Sequence, residues 1–536
     1  MKKLKLVCVA IAMACATPTL AGGLLTNTNQ HVAFDRMMSR EASIGIDGVY
    51  YNPAGVVFMS EGHHLAINWQ LAFQTRTINN DYALFTNNVN NPITPRDFKG
   101  TAFAPVIPSF QYAYNKGKWS FQASFALTGG GGKCTFDDGL GSFEKIVAET
   151  AIAACGLAGV VDQTLGNTLG QPGMEMFTSD QAFGKTGKYS FNSYMHGRQY
   201  YYGLSVGAAY KFCDNFSAFL GVRGVYALTN YYGYVENINV GNMPLYKVLD
   251  PTKESSANIE LSCDQSGVGF TPIIGVDYKT GRWNFSAKYE FKTRIRLKNK
   301  SVNQTPSIGN LPANLANQMT GILTAKYQQA GLPLEQAKQQ AENTTNAVLN
   351  DPTVGATMIG LKTQFDQKLN KAIGEYEDGK KIAGDIPAYL ALGVGYSPVD
   401  AVRVNVGFHW FDDKNATSYN NRNKELKRGT LEYNAGVEVD VNKKITLSTG
   451  WQNTNYGLSD EYMDDKSFVV SSNSVAIGGV YHINKKMDLN VAYFHTFYQH
   501  KKTTEKVQLT ADRSLNYSSD YTRNNNVFAV GLDINF

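Results

Sequence analysis

From residue 64 to the C-terminus the chain keeps returning to one pattern: stretches of about ten residues in which apolar and polar side chains alternate. A period of two puts one set of side chains on each face of an extended strand. The first stretch shows it plainly. Leu65, Ile67, Trp69, Leu71 and Phe73 fall on one face; Ala66, Asn68, Gln70, Ala72 and Gln74 fall on the other. In the last stretch Phe528, Val530, Leu532, Ile534 and Phe536 alternate with Ala529, Gly531, Asp533 and Asn535. About nine to eleven residues is the length with which a tilted strand crosses hydrocarbon. Outside the N-terminal leader there is no run of eighteen or more apolar residues, so no transmembrane helix is expected. A backbone inside lipid must pair all its polar groups, and a closed β-barrel is the other structure that does so.

Punctuation between the stretches fixes the topology. Asn115-Lys116-Gly117-Lys118, Cys213-Asp214-Asn215, Lys279-Thr280-Gly281-Arg282, Ser397-Pro398-Val399-Asp400, Asn442-Lys443-Lys444 and Asn484-Lys485-Lys486 read as short turns. Short and long connections alternate strictly, which predicts an all-β fold: a fourteen-stranded antiparallel transmembrane barrel with short inner turns and long outer loops. Two outer insertions are large, at 129–197 and 299–385. The first contains an apolar helical stretch over 143–161. In the second, Met358, Leu361, Phe365, Leu369 and Ile373 recur at helical spacing, so these loops are expected to be partly helical. Such helices can line a greasy groove at the barrel mouth or pack loop on loop.

As a soluble protein, 536 residues would suggest three or four domains. A single large barrel removes that expectation, and 31 Tyr, 28 Phe and 50 Gly with only 18% charged residues suit the barrel. Residues 1–21 read as a secretory signal: Lys2, Lys3 and Lys5, then an apolar stretch too short to span, then a small-residue cleavage site. A lipoprotein reading of Cys15 is weakened by Ala12. Losing three Lys and no acid lowers the formal charge from +5 to +2, too balanced for a nucleic-acid partner. Cys134, Cys155, Cys213 and Cys263 match no zinc spacing. Cys134 and Cys155 either pair in an oxidising compartment or stay as buried thiols. No metal and no cofactor is expected.

The residues between the leader and the first strand, 22–63, do not alternate. They include Arg40-Glu41-Ala42-Ser43-Ile44-Gly45 and Tyr50-Tyr51-Asn52-Pro53-Ala54-Gly55. Here the chain resembles the FadL-type outer-membrane transporters of long-chain fatty acids and other hydrophobic compounds. Asn52, Pro53 and Ala54 match that family's Asn-Pro-Ala motif in identity and place. Ser266-Gly267-Val268-Gly269-Phe270, Asp385-Ile386-Pro387 and the terminal Phe536 are also similar. The resemblance implies a layout of hatch at 22–63 and barrel at 64–536 in the bacterial outer membrane. It implies passive transport of a fatty acid or other hydrophobic ligand, with Asn52, Pro53 and Ala54 as the gate. It also implies lateral release near the third strand, where Gly129, Gly130 and Gly131 mark a bulge or a flexible loop start. The partners expected are that ligand, outer-membrane lipid and lipopolysaccharide, and the barrel-assembly machinery, which would read the C-terminal strand. The protein is expected to be a monomer.

One charged ladder stands out on the seventh strand. Lys288, Glu290, Lys292, Arg294 and Arg296 alternate with Ala287, Tyr289, Phe291 and Ile295. If the apolar set faces lipid, Lys288, Lys292, Arg294 and Arg296 face the lumen, to guide a carboxylate or to brace the hatch. Gly203-Leu204-Ser205-Val206-Gly207 matches a hydrolase elbow in letters only, because it sits within an alternating strand. No catalytic constellation is found. A hydrophobic-solute channel is therefore favoured over an aromatic-hydrocarbon channel, a general porin or an outer-membrane lipid hydrolase.

Overall fold

The computed structural model describes residues 27–306, 308–510 and 513–536. The leader, Cys15 and the hatch residues before 27 lie outside the described residues. Fourteen strands form the closed wall. They are β1 Gly62–Tyr82, β2 Arg96–Lys116, β3 Trp119–Phe136, β4 Tyr189–Cys213, β5 Phe216–Val240, β6 Ile259–Thr280 and β7 Trp283–Glu290. They continue with β8 Tyr389–Val399, β9 Val402–Phe411, β10 Thr430–Asn442, β11 Ile445–Asn455, β12 Ser472–Asn484, β13 Met487–Tyr498 and β14 Arg513–Asn535. Each pairs antiparallel with the next. β14 returns to β1, from Asn535 opposite His64 to Tyr517 opposite Tyr82, so no edge is left open. The six expected turns all fall between strands, at one end.

The alternation has the expected cause. Trp69, Phe73, Phe121, Leu220, Phe270 and Phe528 are exposed on the outer face, while Ala66, Asn68, Gln70 and Gln111 are buried within. Ser205 faces inward on β4 and accepts from the Arg223 guanidinium at 3.0 Å, so the Gly-x-Ser-x-Gly pentad is ordinary strand.

Both predicted outer insertions are shorter than the sequence suggests: at the second, an outer strand at Arg296–Gln304 pairs with β6 and with Lys381–Ala383. β3 runs on to Phe136 and β4 starts at Tyr189, because strand pairing needs only backbone and continues past the apolar band. Beyond them, α3 at Gly141–Leu169 replaces the helical stretch expected over 143–161. (α1 Val32–Met37 and α2 Gly48–Tyr51 lie in the hatch.) α3 is long and apolar enough to cross a membrane by composition. It instead carries buried charges that hold it in the outer cap: Glu144 pairs with Arg96, and Lys145 with Glu505 at 2.6 Å. α4 Leu311–Gln329, α5 Leu334–Leu349 and α6 Pro352–Ile373 complete the cap. Leu361 is buried there and Met358 packs against it; the side chains of Phe365, Leu369 and Ile373 lie outside the described residues. The four cysteines among the described residues are free, so Cys134 and Cys155 are not paired.

The N-terminal segment fills the lumen and its fit depends on bare wall. A Cβ on Gly450 or on Gly436 would strike the Met37 carbonyl oxygen at the end of α1. Gly450→Val should therefore displace α1 and cost about 1–3 kcal/mol. The expected readout is a lower temperature at which the compact band of the unboiled protein converts to the unfolded band. An unchanged conversion temperature would show that α1 does not seat against β11.

Candidate functional site

The hatch is tied to the wall on almost every side by buried polar groups. Arg36 donates to Glu438 on β10, to Ser448 on β11 at 2.9 Å and to Asn490 on β13 at 3.2 Å. Arg40 clasps Asp47 with Nε at 2.7 Å and Nη2 at 3.1 Å, which stiffens the hatch itself. His409 on β9 lies between hatch Glu41 at 2.7 Å and wall Glu432 at 2.8 Å. Each of these charges thus has a partner, the condition for keeping it out of water.

Asn52, Pro53 and Ala54 touch three different strands. The Asn52 amide donates to Asp277 on β6 at 2.6 Å, and its oxygen accepts from the Gly55 N–H at 3.1 Å. The Pro53 carbonyl accepts from Gln122 on β3 at 2.7 Å, and the Ala54 carbonyl from Ser217 on β5 at 2.7 Å. Pro53 fixes its own φ and keeps Asn52 out of the helical region, where Asn52 sits at φ −138°.

The wall's ladder is interrupted at two seams, β6–β7 beyond Ile273–Glu290 and β2–β3, and the second is the one that the hatch fills. β2 pairs β3 over Ser109–Lys116 with Trp119–Ala126, and again over Gly100–Ala102 with Cys134–Phe136, but not between. The cause lies in the residues that face the gap. Pro105 and Pro108 bring no N–H to β2. Across from them, β3 carries two extra residues against β4, at Leu127/Gly129 and Gly130/Gly132. Gly130 has φ +72°, and a Cβ there would strike the Gln199 carbonyl. Gly129, Gly130 and Gly131 are thus strand residues at a double bulge. Their sequence signal was legible; the prolines opposite were not, since only the register brings them together.

The gap is filled from inside. The Asn27 N–H donates to the Thr128 carbonyl at 3.1 Å, and its amide to Leu127 at 3.1 Å and Gly130 at 2.8 Å. Gln30 donates to the Leu127 carbonyl at 3.0 Å, while its own carbonyl accepts from Ser109 at 2.7 Å and Gln111 at 2.8 Å. These bonds replace strand-to-strand bonds that β2 and β3 do not make. Tyr51, next to Asn52, donates to the Thr28 carbonyl at 2.7 Å and accepts from the Gln30 N–H at 2.8 Å. The gate turn and the plug of the gap are therefore one connected unit.

A lumen cavity of about 280 Å³ reaches the gap, lined there by Asn27, Ala102, Ala104, Ile107 and Gly130. The same cavity is lined by Arg76 on β1 and Arg523 on β14, directly opposed in register. Both donate to one Gln74 oxygen, at 3.1 Å and 2.7 Å, and neither has an ion pair among the described residues. The Arg523 Nε is buried without an acceptor. Two guanidiniums sharing one amide oxygen leave donors free for an anion. No spacing rule could have found this pair, because it forms across the seam that closes the barrel.

The expected ladder behaves otherwise. Lys288 faces the lumen, but it donates to the Tyr50 carbonyl at 2.6 Å and pairs with Glu290 at 2.9 Å, which Arg223 also holds. It braces the hatch. Lys292 leaves the ladder and points to Asp385 at 3.8 Å. Arg294 and Arg296 are exposed on the outer face, while Ile295 is fully buried. Between Ile273–Glu290 and Ser266–Lys298 one strand advances seven residues and the other eight. One extra residue exchanges the two faces of a strand, so the sequence-based assignment of Arg294 and Arg296 to the lumen is corrected.

Above the lumen, α3 and α4 enclose a second cavity of about 90 Å³, lined by apolar groups such as Val147, Leu157, Phe177, Val248 and Leu315. Phe143 packs against both this cap and the apolar cluster of Phe136, Leu140 and Met195 below it.

A closed fourteen-stranded wall, a hatch inside it and an interrupted ladder that the hatch fills define a plugged transmembrane barrel. It has the FadL-type fold. The chain is similar to the crystal structure of a Pseudomonas aeruginosa FadL homologue at TM-score 0.55 and 13% identity, over 98% of this chain and 100% of that one. It is also similar to a deletion mutant of TodX, a monoaromatic hydrocarbon channel, at TM-score 0.51 and 13% identity, over 94% of this chain and 98% of that one. No family model matches the chain, and no curated protein matches it by sequence. At these identities the likeness is one of fold.

In the turn at Gly374–Tyr376, between α6 and β8, Glu375 is fully buried and both carboxylate oxygens lack a partner. Burial outweighs the pull of Lys466 and Arg422 and pushes its carboxyl up to about 8 from the ordinary 4.5. The folded state then holds a proton that the unfolded state releases. Stability should fall as pH rises from about 4.5 to about 8 and level off above. Hydrogen exchange of the amides around 374–384 should quicken across that window beyond its intrinsic pH dependence. Glu375→Gln should abolish the excess; a persisting excess would place the titrating group elsewhere.

Proposed function

We propose that this protein is an outer-membrane channel for passive uptake of hydrophobic small molecules, gated by its hatch and emptied sideways through the β2–β3 gap. The observation that carries the reading is the gap itself. A wall in lipid that leaves one ladder unpaired needs another partner for those carbonyls. Asn27 and Gln30 supply it from a segment that can withdraw. Displacing residues 27–30 would join the lumen cavity to the lipid. The apolar cavity under α3 captures the ligand first, and the cluster around Phe136 separates it from the lumen. Asn52, Pro53 and Ala54 act as the gate through Tyr51. In this reading residues 1–21 are the leader, 22–63 the hatch and 64–536 a monomeric barrel delivered through the assembly machinery's recognition of Phe536. Neither a catalytic group nor a cofactor takes part.

The ligand class follows from the lumen. Arg76 and Arg523 favour an amphiphile with an anionic head, and a long-chain fatty acid fits that description. The TodX fold suggests a neutral aromatic hydrocarbon as the second reading. Arg76→Gln together with Arg523→Gln decides between them. A charged hydrogen bond contributes about 1.5–3 kcal/mol, so the double variant should lower uptake of a labelled fatty acid about tenfold or more. Uptake of labelled toluene should not change. Equal effects on both, at equal surface level, would reject the anionic ligand.

A further inference from the structure

The register shift after Glu290 puts a row of cations outside the barrel. Arg294, Arg296, Lys298 and Lys300 alternate with the inward Ile295, Leu297 and Asn299, and all four are exposed. Lys298 lies opposite Ser266 on β6, and residues paired in register share a face. That face carries Val268 and Phe270, 62% and 69% exposed, at the top of the outward apolar band. On the other side Lys381 lies opposite Lys298 and is also exposed. The row thus begins where the apolar band ends, at the end of the barrel away from the short turns.

Little neutralises it. Asp385 takes Arg296 at 2.9 Å and lies 3.8 Å from Lys292. Glu377 pairs with Lys380 at 3.6 Å, and Asp378 accepts from the Ser301 N–H at 2.8 Å. Asp264 stands opposite Lys300 but accepts from Asn230 at 2.8 Å. Arg294, Lys298, Lys300 and Lys381 have no ion pair among the described residues. Two lysines held side by side repel each other, an arrangement that an external anion relieves.

We propose that this row seats the phosphorylated headgroup of an outer-leaflet glycolipid, whose acyl chains lie on Val268 and Phe270. The inference rests on the outer-membrane reading above. Arg294 to Lys300 spans about 20 Å along the strand. A single phosphodiester meets one or two of these cations; a headgroup carrying several phosphates meets them all. Arg binds phosphate through a bidentate fork and Lys as a point charge, and the row contains both.

The test uses the full chain in detergent, with fluorescent lipopolysaccharide as the probe and the same lipopolysaccharide after enzymatic dephosphorylation as its comparison. The wild type should bind the phosphorylated form about tenfold more tightly. Replacing Arg294, Lys298, Lys300 and Lys381 together by Gln should abolish that preference. Replacing Lys443, Lys444, Lys485 and Lys486, four cations of the short turns, should preserve it. Overturning results are an unchanged preference in the Arg294 set, no preference in the wild type, or equal binding of phosphatidylglycerol vesicles. Fatty-acid uptake separates this from the transport reading. The Arg294 set should transport normally, and the Arg76 and Arg523 variant should still bind lipopolysaccharide.

Discussion

Every backbone N–H and C=O that enters hydrocarbon must find a partner, and this structure is organised by how it meets that demand. Twelve of the fourteen seams around the wall are continuous or carry only local bulges, and a thirteenth, β6–β7, breaks beyond Ile273–Glu290 and resumes at Ser266–Lys298. At the remaining one, Pro105 and Pro108 withdraw donors from β2, and the glycines of β3 bend its carbonyls inward. The hatch then completes the ladder with Asn27 and Gln30. The plug therefore belongs to the wall's hydrogen bonding rather than merely filling space. Withdrawing it exposes carbonyls unless water, a ligand or lipid headgroups replace the lost bonds. That cost is what can keep the gap closed in the absence of ligand.

The hatch is held by two kinds of contact that divide the labour. Around β9 to β13, Arg36 and Arg40 meet Glu438, and Glu41 meets His409, in buried charged bonds, and breaking any one strands a charge. Around β1 to β3, the contacts of residues 27–30 are neutral amides and carbonyls, each costing less to exchange. The movable part of the hatch is therefore the part nearest the gap. Tyr51 links it to the Asn52 turn, where Asp277 is the only charged group engaged. Lys288 belongs to the anchored side, against Tyr50.

Much of this was legible in the sequence because a strand's period of two is written within each strand and does not depend on its neighbours. The strand count follows from it, the six short turns from their Gly, Pro, Asn and Asp clusters, and the helical outer insertion over 143–161 from its own apolar helical stretch. What failed was anything that depends on register. One additional residue after Glu290 moved Arg294 and Arg296 from lumen to surface, and no periodicity signal marks one residue. The gap required seeing Pro105 and Pro108 opposite Gly129 to Gly132. Arg76 and Arg523 are neighbours only because the barrel closes. Asn52, Pro53 and Ala54 were found by motif, but their partners Gln122, Ser217 and Asp277 come from three separate strands.

The central claim is that ligand leaves only when residues 27–30 release β3. A reversible lock tests it directly: Asn27→Cys with Thr128→Cys, in a chain whose native cysteines are replaced by Ser. Oxidation should stop uptake of a labelled fatty acid by whole cells, and reduction should restore it, with the folded barrel at the surface unchanged throughout. Normal uptake with the disulfide formed would contradict the account, because the ligand would then cross while the gap stays closed.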